Sequence, residues 1–252
     1  MRIAAISDIH GNLPALDAVL ADIAAIGVDV TVNLGDIVSG PLWPAETLAR
    51  LAPLALPTIA GNHERQVLAE DTAAMGASDA FAAARLSADD RAWLRALPPT
   101  RWLAEDLLLC HGTPTSDLVY WLETLDAAHP SGIRAATLDE IRARIAPGAV
   151  DRATLVLCGH THVPRVVACA PGLVIVNPGS VGVQAYEDAD PPHRIELGTP
   201  HARYAIVERT ADGWRATPRA IPYDWATSAA RAARGNRPEW ARALETGRIA
   251  SP

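Results

Sequence analysis

The chain has 252 residues, 49% of them hydrophobic, and carries a formal net charge of -7. That length and apolar content supply the core of a single compact domain, while the negative balance disfavours partnership with long nucleic acid or an anionic membrane surface. Three cysteines, Cys110, Cys158 and Cys169, form no CxxC pair and suit small buried apolar positions in a reducing compartment. Met1 to Ile6 is only strand-length before Asp8 interrupts it, so no secretory leader is expected. No apolar run is long enough to span a bilayer. The expected setting is cytoplasmic.

Arg2 to Ser7 reads as a buried strand and Asp8-Ile9-His10-Gly11-Asn12 as the loop after it. Asn12 caps a helix with Pro14 in its first turn, Leu13, Leu16, Val19, Leu20, Ile23 and Ile26 at helical spacing, and Gly27 at its end. Val28 to Leu34 predicts a second strand ending at Gly35-Asp36. Pro44 to Leu54 predicts a helix crossing back, and Leu56 to Ala60 a third short strand delivering Gly61-Asn62-His63. Such a βαβαβ series implies parallel neighbours, right-handed crossovers and loops gathered at one edge. Gly35 and Gly61 let the backbone turn abruptly and approach a buried ion closely.

From Glu64 to Leu97 the sequence is alanine-rich and helical, with Ser87 and Asp90 in a capping box, and reads as an insert over the site. Arg101 to Leu103 and Leu107 to Cys110 predict two strands, the second ending at His111-Gly112. Thr113 to Gly148 is less regular, with one helix from Leu138 to Ile145 capped by Thr137; Tyr120 and Trp121 are expected to pack this loop. Leu155 to Cys158 leads to Gly159-His160-Thr161-His162. Arg165 to Cys169 and Leu173 to Val176 form a hairpin about Pro171-Gly172, which ends in the turn Asn177-Pro178-Gly179-Ser180. Ala202 to Glu208 and Trp214 to Ile221 flank Asp212-Gly213, and a helical tail starts at Asp224. The tail's Arg231, Arg234, Arg237 and Arg242 are expected to face solvent, as are His129, His193 and His201.

Five strand ends thus carry hard or borderline ligands. Asp8, His10, Asp36, Asn62, His111, His160 and His162 are too many for one ion and suit two if a carboxylate bridges. Carboxylate, imidazole and amide oxygen together favour manganese, iron, zinc, cobalt or nickel over magnesium, and ungrouped thiolates exclude an all-sulfur site. Two divalent ions outweigh the charge of Asp8, Asp36 and a bridging hydroxide, drawing phosphate into an otherwise acidic protein. His63, beside Asn62, is left to act as an acid toward a leaving oxygen or as a charge stabiliser.

In this order, Asp8-x-His10, Gly35-Asp36, Gly61-Asn62-His63-Glu64, His111 and Gly159-His160-Thr161-His162 resemble the calcineurin-like metallophosphoesterase superfamily. The resemblance runs from Asp8 to His162 and extends to Asn177–Ser180. It implies an α/β fold, a four-layer α-β-β-α sandwich forming a single domain over residues 1–252, with a helical insert near 64–97 and a helical tail near 224–252. It also implies one metal on Asp8, His10, Asp36 and His162 and another on Asp36, Asn62, His111 and His160, with Asp36 bridging and His63 as the non-ligand catalytic histidine.

Gly35 to Pro41 and His162-Val163-Pro164 are similar to the small bacterial branch containing phosphodiesterases and diadenosine tetraphosphatase-like proteins. Ser39-Gly40-Pro41 stands where serine/threonine protein phosphatases carry Asp-Arg-Gly, so a phosphate-clamping arginine is missing there; Arg65 is the candidate substitute. The implied function is dinuclear-metal-dependent hydrolysis of a small phosphodiester or dinucleoside polyphosphate, a nucleotide among them, by a metal-bridging hydroxide. A broad-range phosphomonoesterase is the alternative. A third reading, a metal-free binding scaffold, is opposed by the full ligand set and His63.

Overall fold

The run Ile3-Ala4-Ala5-Ile6 has no polar face, so a strand built from it must be covered on both sides. A computed structural model describes residues 1–170 and 172–249. The chain opens with β1 (Arg2–Ile6), α1 (Leu13–Ile26), β2 (Val30–Asn33) and α2 (Pro44–Leu51), followed by α3 (Asn62–Val67), α4 (Ala77–Ala83) and α5 (Ala88–Arg95). Next come β3 (Thr100–Ala104), β4 (Leu107–Cys110), β5 (Glu123–Leu125), β6 (Ile133–Ala135), α6 (Leu138–Ala143) and β7 (Leu155–Leu157). It closes with β8 (Arg165–Ala170), β9 (Leu173–Asn177), β10 (Ala185–Ala189), β11 (Pro192–Glu196), β12 (Ala202–Thr210), β13 (Gly213–Ile221), α7 (Trp225–Arg234) and α8 (Pro238–Thr246).

One sheet has the order β13-β12-β1-β2 and the other β3-β4-β7-β9-β8. β1 and β2 run parallel, as do β4, β7 and β9, while β12, β13, β3 and β8 are antiparallel to their neighbours. The period of two sorts the apolar side chains into layers. Ile3, Ala5, Leu107, Leu109, Leu155 and Leu157 meet between the sheets. Ala4 and Ile6 turn instead to Leu16, Val19 and Ile23 of α1, and Leu108, Cys110 and Val156 turn to Trp121 and Ile141 beneath α6. The result is the expected four-layer α-β-β-α sandwich.

Some elements differ from expectation for local reasons. The strand over 56–60 shrinks to a single bridge between Asn33 and Thr58, because Pro57 has no N–H with which to extend a ladder. The helix from Pro44 stops at Leu51 and finishes in a 3-10 turn over Ala52–Leu54, where Pro53 lacks the donor to continue. The 64–97 region is helical as expected, divided among α3, a 3-10 turn over Thr72–Ala74, α4 and α5. Two small hairpins, β5–β6 and β10–β11, add to the expected strands. Pro171, at the expected hairpin turn, and tail residues 250–252 lie outside the described residues. Among the described residues no helix is long and apolar enough to cross a membrane.

Candidate metal centre

The C-terminal ends of β1, β2, β4, β7 and β9 converge. Past β1 and β2 the parallel pairing continues through the loops: Asp8 N–H donates to Gly35 O, His10 N–H to Asp36 O and Gly11 N–H to Ile37 O. These bonds hold residues that would not choose their conformation. Among the described residues seven non-glycine residues have positive φ, and five of them are expected ligands: Asp8 (55°), His10 (51°), Asp36 (55°), His160 (72°) and His162 (61°). Left-handed backbone costs of the order of 1 kcal/mol or more per residue and persists only where the surroundings impose it, typically at functional sites. Gly61 is required for closeness rather than for its φ, since a Cβ there would lie 2.2 Å from Asp36 Oδ1.

The side chains form two groups, Asp8 with His10 and His162, and Asp36 with His111 and His160; within each the ligand atoms lie within 4.8 Å of one another. Each histidine is oriented by a backbone carbonyl. Nδ1–H of His10, His111 and His162 donates to Ser39 O (2.8 Å), Leu34 O (2.7 Å) and Val183 O (3.0 Å), and Nε2–H of His160 to Leu118 O (3.0 Å). The opposite nitrogen of each ring is therefore turned into the site. Two of these, His10 Nε2 and His162 Nε2, face each other at 3.1 Å. His111 Nε2 sits 3.1 Å from Asp36 Oδ2. Asp8 Oδ1, Asn62 Oδ1 and His111 Nε2 are buried without a hydrogen-bond partner. Acceptors packed against acceptors call for a cation, and this N/O donor set fits divalent ions of intermediate softness.

The electrostatics agree. Burial, then the His162 charge, pushes His10 down to about 4, and burial, then His111, does the same to His160, so both rings present lone pairs at neutral pH. For His111 burial opposes protonation, but Asp36 and Asp8 hold it up to about 10; a proton sits where a cation would. Burial raises the Cys110 and Cys158 thiols, and neither belongs to the two groups of candidate ligands.

The supports are backbone and carboxylate. Glu64 accepts N–H bonds from Asp36, Ile37 and Gly61, all at 2.8 Å, and so pins together the loops of the candidate ligands Asp36 and Asn62. Asn177 Nδ2 donates to Gly159 O (2.7 Å) and Thr161 Oγ1 (3.0 Å), and Ser180 Oγ donates to Asp8 O (2.8 Å); the Asn177–Ser180 turn therefore buttresses the site. His63 lines the cleft, with Nδ1–H donating to Asp79 Oδ1 at 2.8 Å. Burial works against its charge, yet Asp36 and Asp79 hold its pKa up to about 9.

Arg65 is placed otherwise than expected. Its guanidinium makes a bidentate pair with Asp117 (2.9 and 3.0 Å) and is not among the side chains lining the cleft. Neither are all the tail arginines solvated, for Arg237 lines the cleft and Arg231 donates to Leu42 O. His193 is 7% exposed and accepts at Nε2 from Tyr120, which lines the cleft, whereas Trp121 packs as expected. Asp79, Glu123, Tyr186 and Trp240 were missed. Their segments carry no motif, and the Ser-Asp before an alanine run at 78–79 reads only as a helix start.

The family model for the calcineurin-like phosphoesterase superfamily domain matches residues 1–194. The chain belongs to that superfamily, whose members are metal-dependent phosphoester hydrolases. It is similar to a metallophosphoesterase from Sphaerobacter thermophilus, at 28% identity and a TM-score of 0.72 over 98% of this chain and 100% of that one. A hypothetical protein from Pyrococcus horikoshii shares the fold, with 20% identity, a TM-score of 0.73 and 99% of both chains covered. An uncharacterized protein of Methanocaldococcus jannaschii is 43% identical over 70 residues, and the match spans 28% of this chain and 29% of that relative's length.

Proposed function

We propose that this chain hydrolyses a phosphodiester or a dinucleoside polyphosphate at two divalent cations held by Asp8, His10, Asp36, Asn62, His111, His160 and His162, with Asp36 between them. The observation that carries this reading is the convergence of carbonyl-fixed imidazole nitrogens on buried carboxylate and amide oxygens that have no partner of their own. Bound there, two divalent cations would supply Lewis acidity toward phosphoryl oxygens and would lower the pKa of a bound water.

The chain's own residues supply position and a proton. Asp79 takes the His63 Nδ1 proton in a hydrogen bond, so Nε2–H is the one available in the cleft. As the oxygen of a water that has given one proton to solvent bonds to phosphorus and the P–O bond to the leaving group breaks, the His63 Nε2 proton would pass to the leaving oxygen. The cleft, of about 1050 Å³, extends past both groups, with Tyr120 and Tyr186 beside His160 and His162 and Trp240 beside His10. Room on both sides favours a diester over a monoester. The cytoplasmic setting belongs to the same proposal, supported by three free, buried cysteines.

The test is hydrolysis of bis-p-nitrophenyl phosphate against p-nitrophenyl phosphate by chelator-stripped protein, with manganese, nickel, zinc or magnesium restored separately. Metal-dependent turnover favouring the diester is expected. Preference for the monoester, or no turnover with any metal, contradicts the proposal.

A further inference from the structure

Every candidate ligand but one is held by the backbone. The rings of His10, His111, His160 and His162 each donate to a main-chain carbonyl. Asp36 Oδ1 accepts from His63 N–H at 3.0 Å, and Asp8 Oδ2 from His160 N–H at 3.2 Å. Asn62 differs. Its Nδ2–H donates to the side chain of Gln66, at Oε1, over 3.2 Å, and among the described residues its amide makes no other hydrogen bond.

An amide needs such a partner more than the other ligands do. Its oxygen and nitrogen are nearly the same size and sit on one planar group, so packing alone does not choose which of them faces inward. Turned one way it offers a lone pair to a cation; turned the other way it offers N–H, which a cation repels. Residues four apart are neighbours on a helix surface, and Gln66 stands one turn beyond Asn62 in α3. By taking Nδ2–H on that side, Gln66 leaves Asn62 Oδ1 buried with no donor of its own. Gln66 itself is half-buried and lines the cleft.

We propose that Gln66 is a positioning residue, whose side-chain oxygen fixes the Asn62 amide so that its oxygen, not its nitrogen, is presented to the ion shared with Asp36, His111 and His160. The inference rests on the dinuclear reading above and extends it to a residue outside the ligand set. It gives one ion a support that a single side-chain change removes, whereas the carbonyls that hold the histidines remain whatever side chain is present.

The experiment is a calorimetric titration of manganese into the chelator-stripped full chain, with Gln66→Met, Gln66→Glu, Asn62→Asp and the double variant Asn62→Asp/Gln66→Met beside the wild type. Met matches Gln in length and helix propensity but has no oxygen to accept from Asn62, and melting of the stripped proteins checks the fold. The wild type should bind two ions. Gln66→Met should weaken one of them by roughly ten- to a hundredfold, the usual effect of removing a group that orients a metal ligand, and leave the other in place. Gln66→Glu keeps an accepting oxygen and should hold both ions at least as tightly as the wild type. Asn62→Asp removes the need for orientation, because either carboxylate oxygen can ligate, so adding Gln66→Met to it should change neither affinity. Equal affinities in the wild type and Gln66→Met overturn the inference, as does an ion lost in Gln66→Glu. An equal loss on adding Gln66→Met to Asn62→Asp also overturns it, since that marks a general loosening of α3. A wild type that binds fewer than two ions overturns the dinuclear reading and the inference with it, so the wild-type titration tells the two failures apart.

Discussion

At the scale of single residues, His63 has the geometry of a proton donor and Asp79 that of the group which holds it. His63→Ala should retain fold and metal and lose kcat by roughly a hundredfold or more. Asp79→Asn should lower kcat at near-constant KM and metal content, with Asp79→Glu restoring part of the loss; steady-state kinetics with metal analysis of both variants checks this. Glu123 predicts a different signature. Burial, only partly offset by Thr161, Arg165 and Arg144, pushes its pKa from the ordinary 4.5 to about 7. Between those values the folded chain binds more protons than the unfolded one, so this group's contribution to stability is full below the lower value and lost as pH rises through the upper. Glu123→Gln should therefore flatten the fall in stability between about pH 5 and pH 8, by something on the order of 2 kcal/mol, in denaturant titrations at the two pH values.

At the scale of elements, strand ends and inserted helices behaved differently. The turns that carry the candidate ligands were legible because a buried strand stopped by a polar residue of ligand type, with glycine for close approach at Gly35 and Gly61, is a local pattern. Gly61→Ala tests that logic, since the added methyl would meet Asp36 Oδ1 at 2.2 Å and His111 Cε1 at 2.8 Å. It should cost about 1 to 3 kcal/mol of stability and most of the metal affinity, read by thermal melting and metal titration. The helices of the insert and tail were legible as helices, but what they deliver was not. Asp79 on α4 reaches His63 across 16 residues, and Trp240 on α8 reaches His10 at a ring separation of 6.2 Å from the far end of the chain. No spacing encodes such contacts, because they arise only when α4 and α8 pack over the strand ends. The hairpin β10–β11 escaped for the related reason that Glu187-Asp188-Ala189 carries no apolar alternation.

At the scale of the whole molecule, a negatively charged chain gathers its carboxylates and imidazoles where two sheets end together. The sandwich itself was legible only through resemblance: runs buried on both faces say that a strand is covered, not by what. Because ligands that bind only the folded state stabilise it by mass action, restoring metal to stripped protein at a hundredfold excess over Kd should add about 3 kcal/mol per site and raise the melting temperature by several degrees. The most direct test is the number of ions held. Chelator-stripped protein reloaded with manganese, desalted and analysed by mass spectrometry for metal per chain should hold two equivalents, with Asp36→Asn losing metal at both positions. One equivalent or none in the wild type, or two retained in Asp36→Asn, would contradict a dinuclear centre built around Asp36.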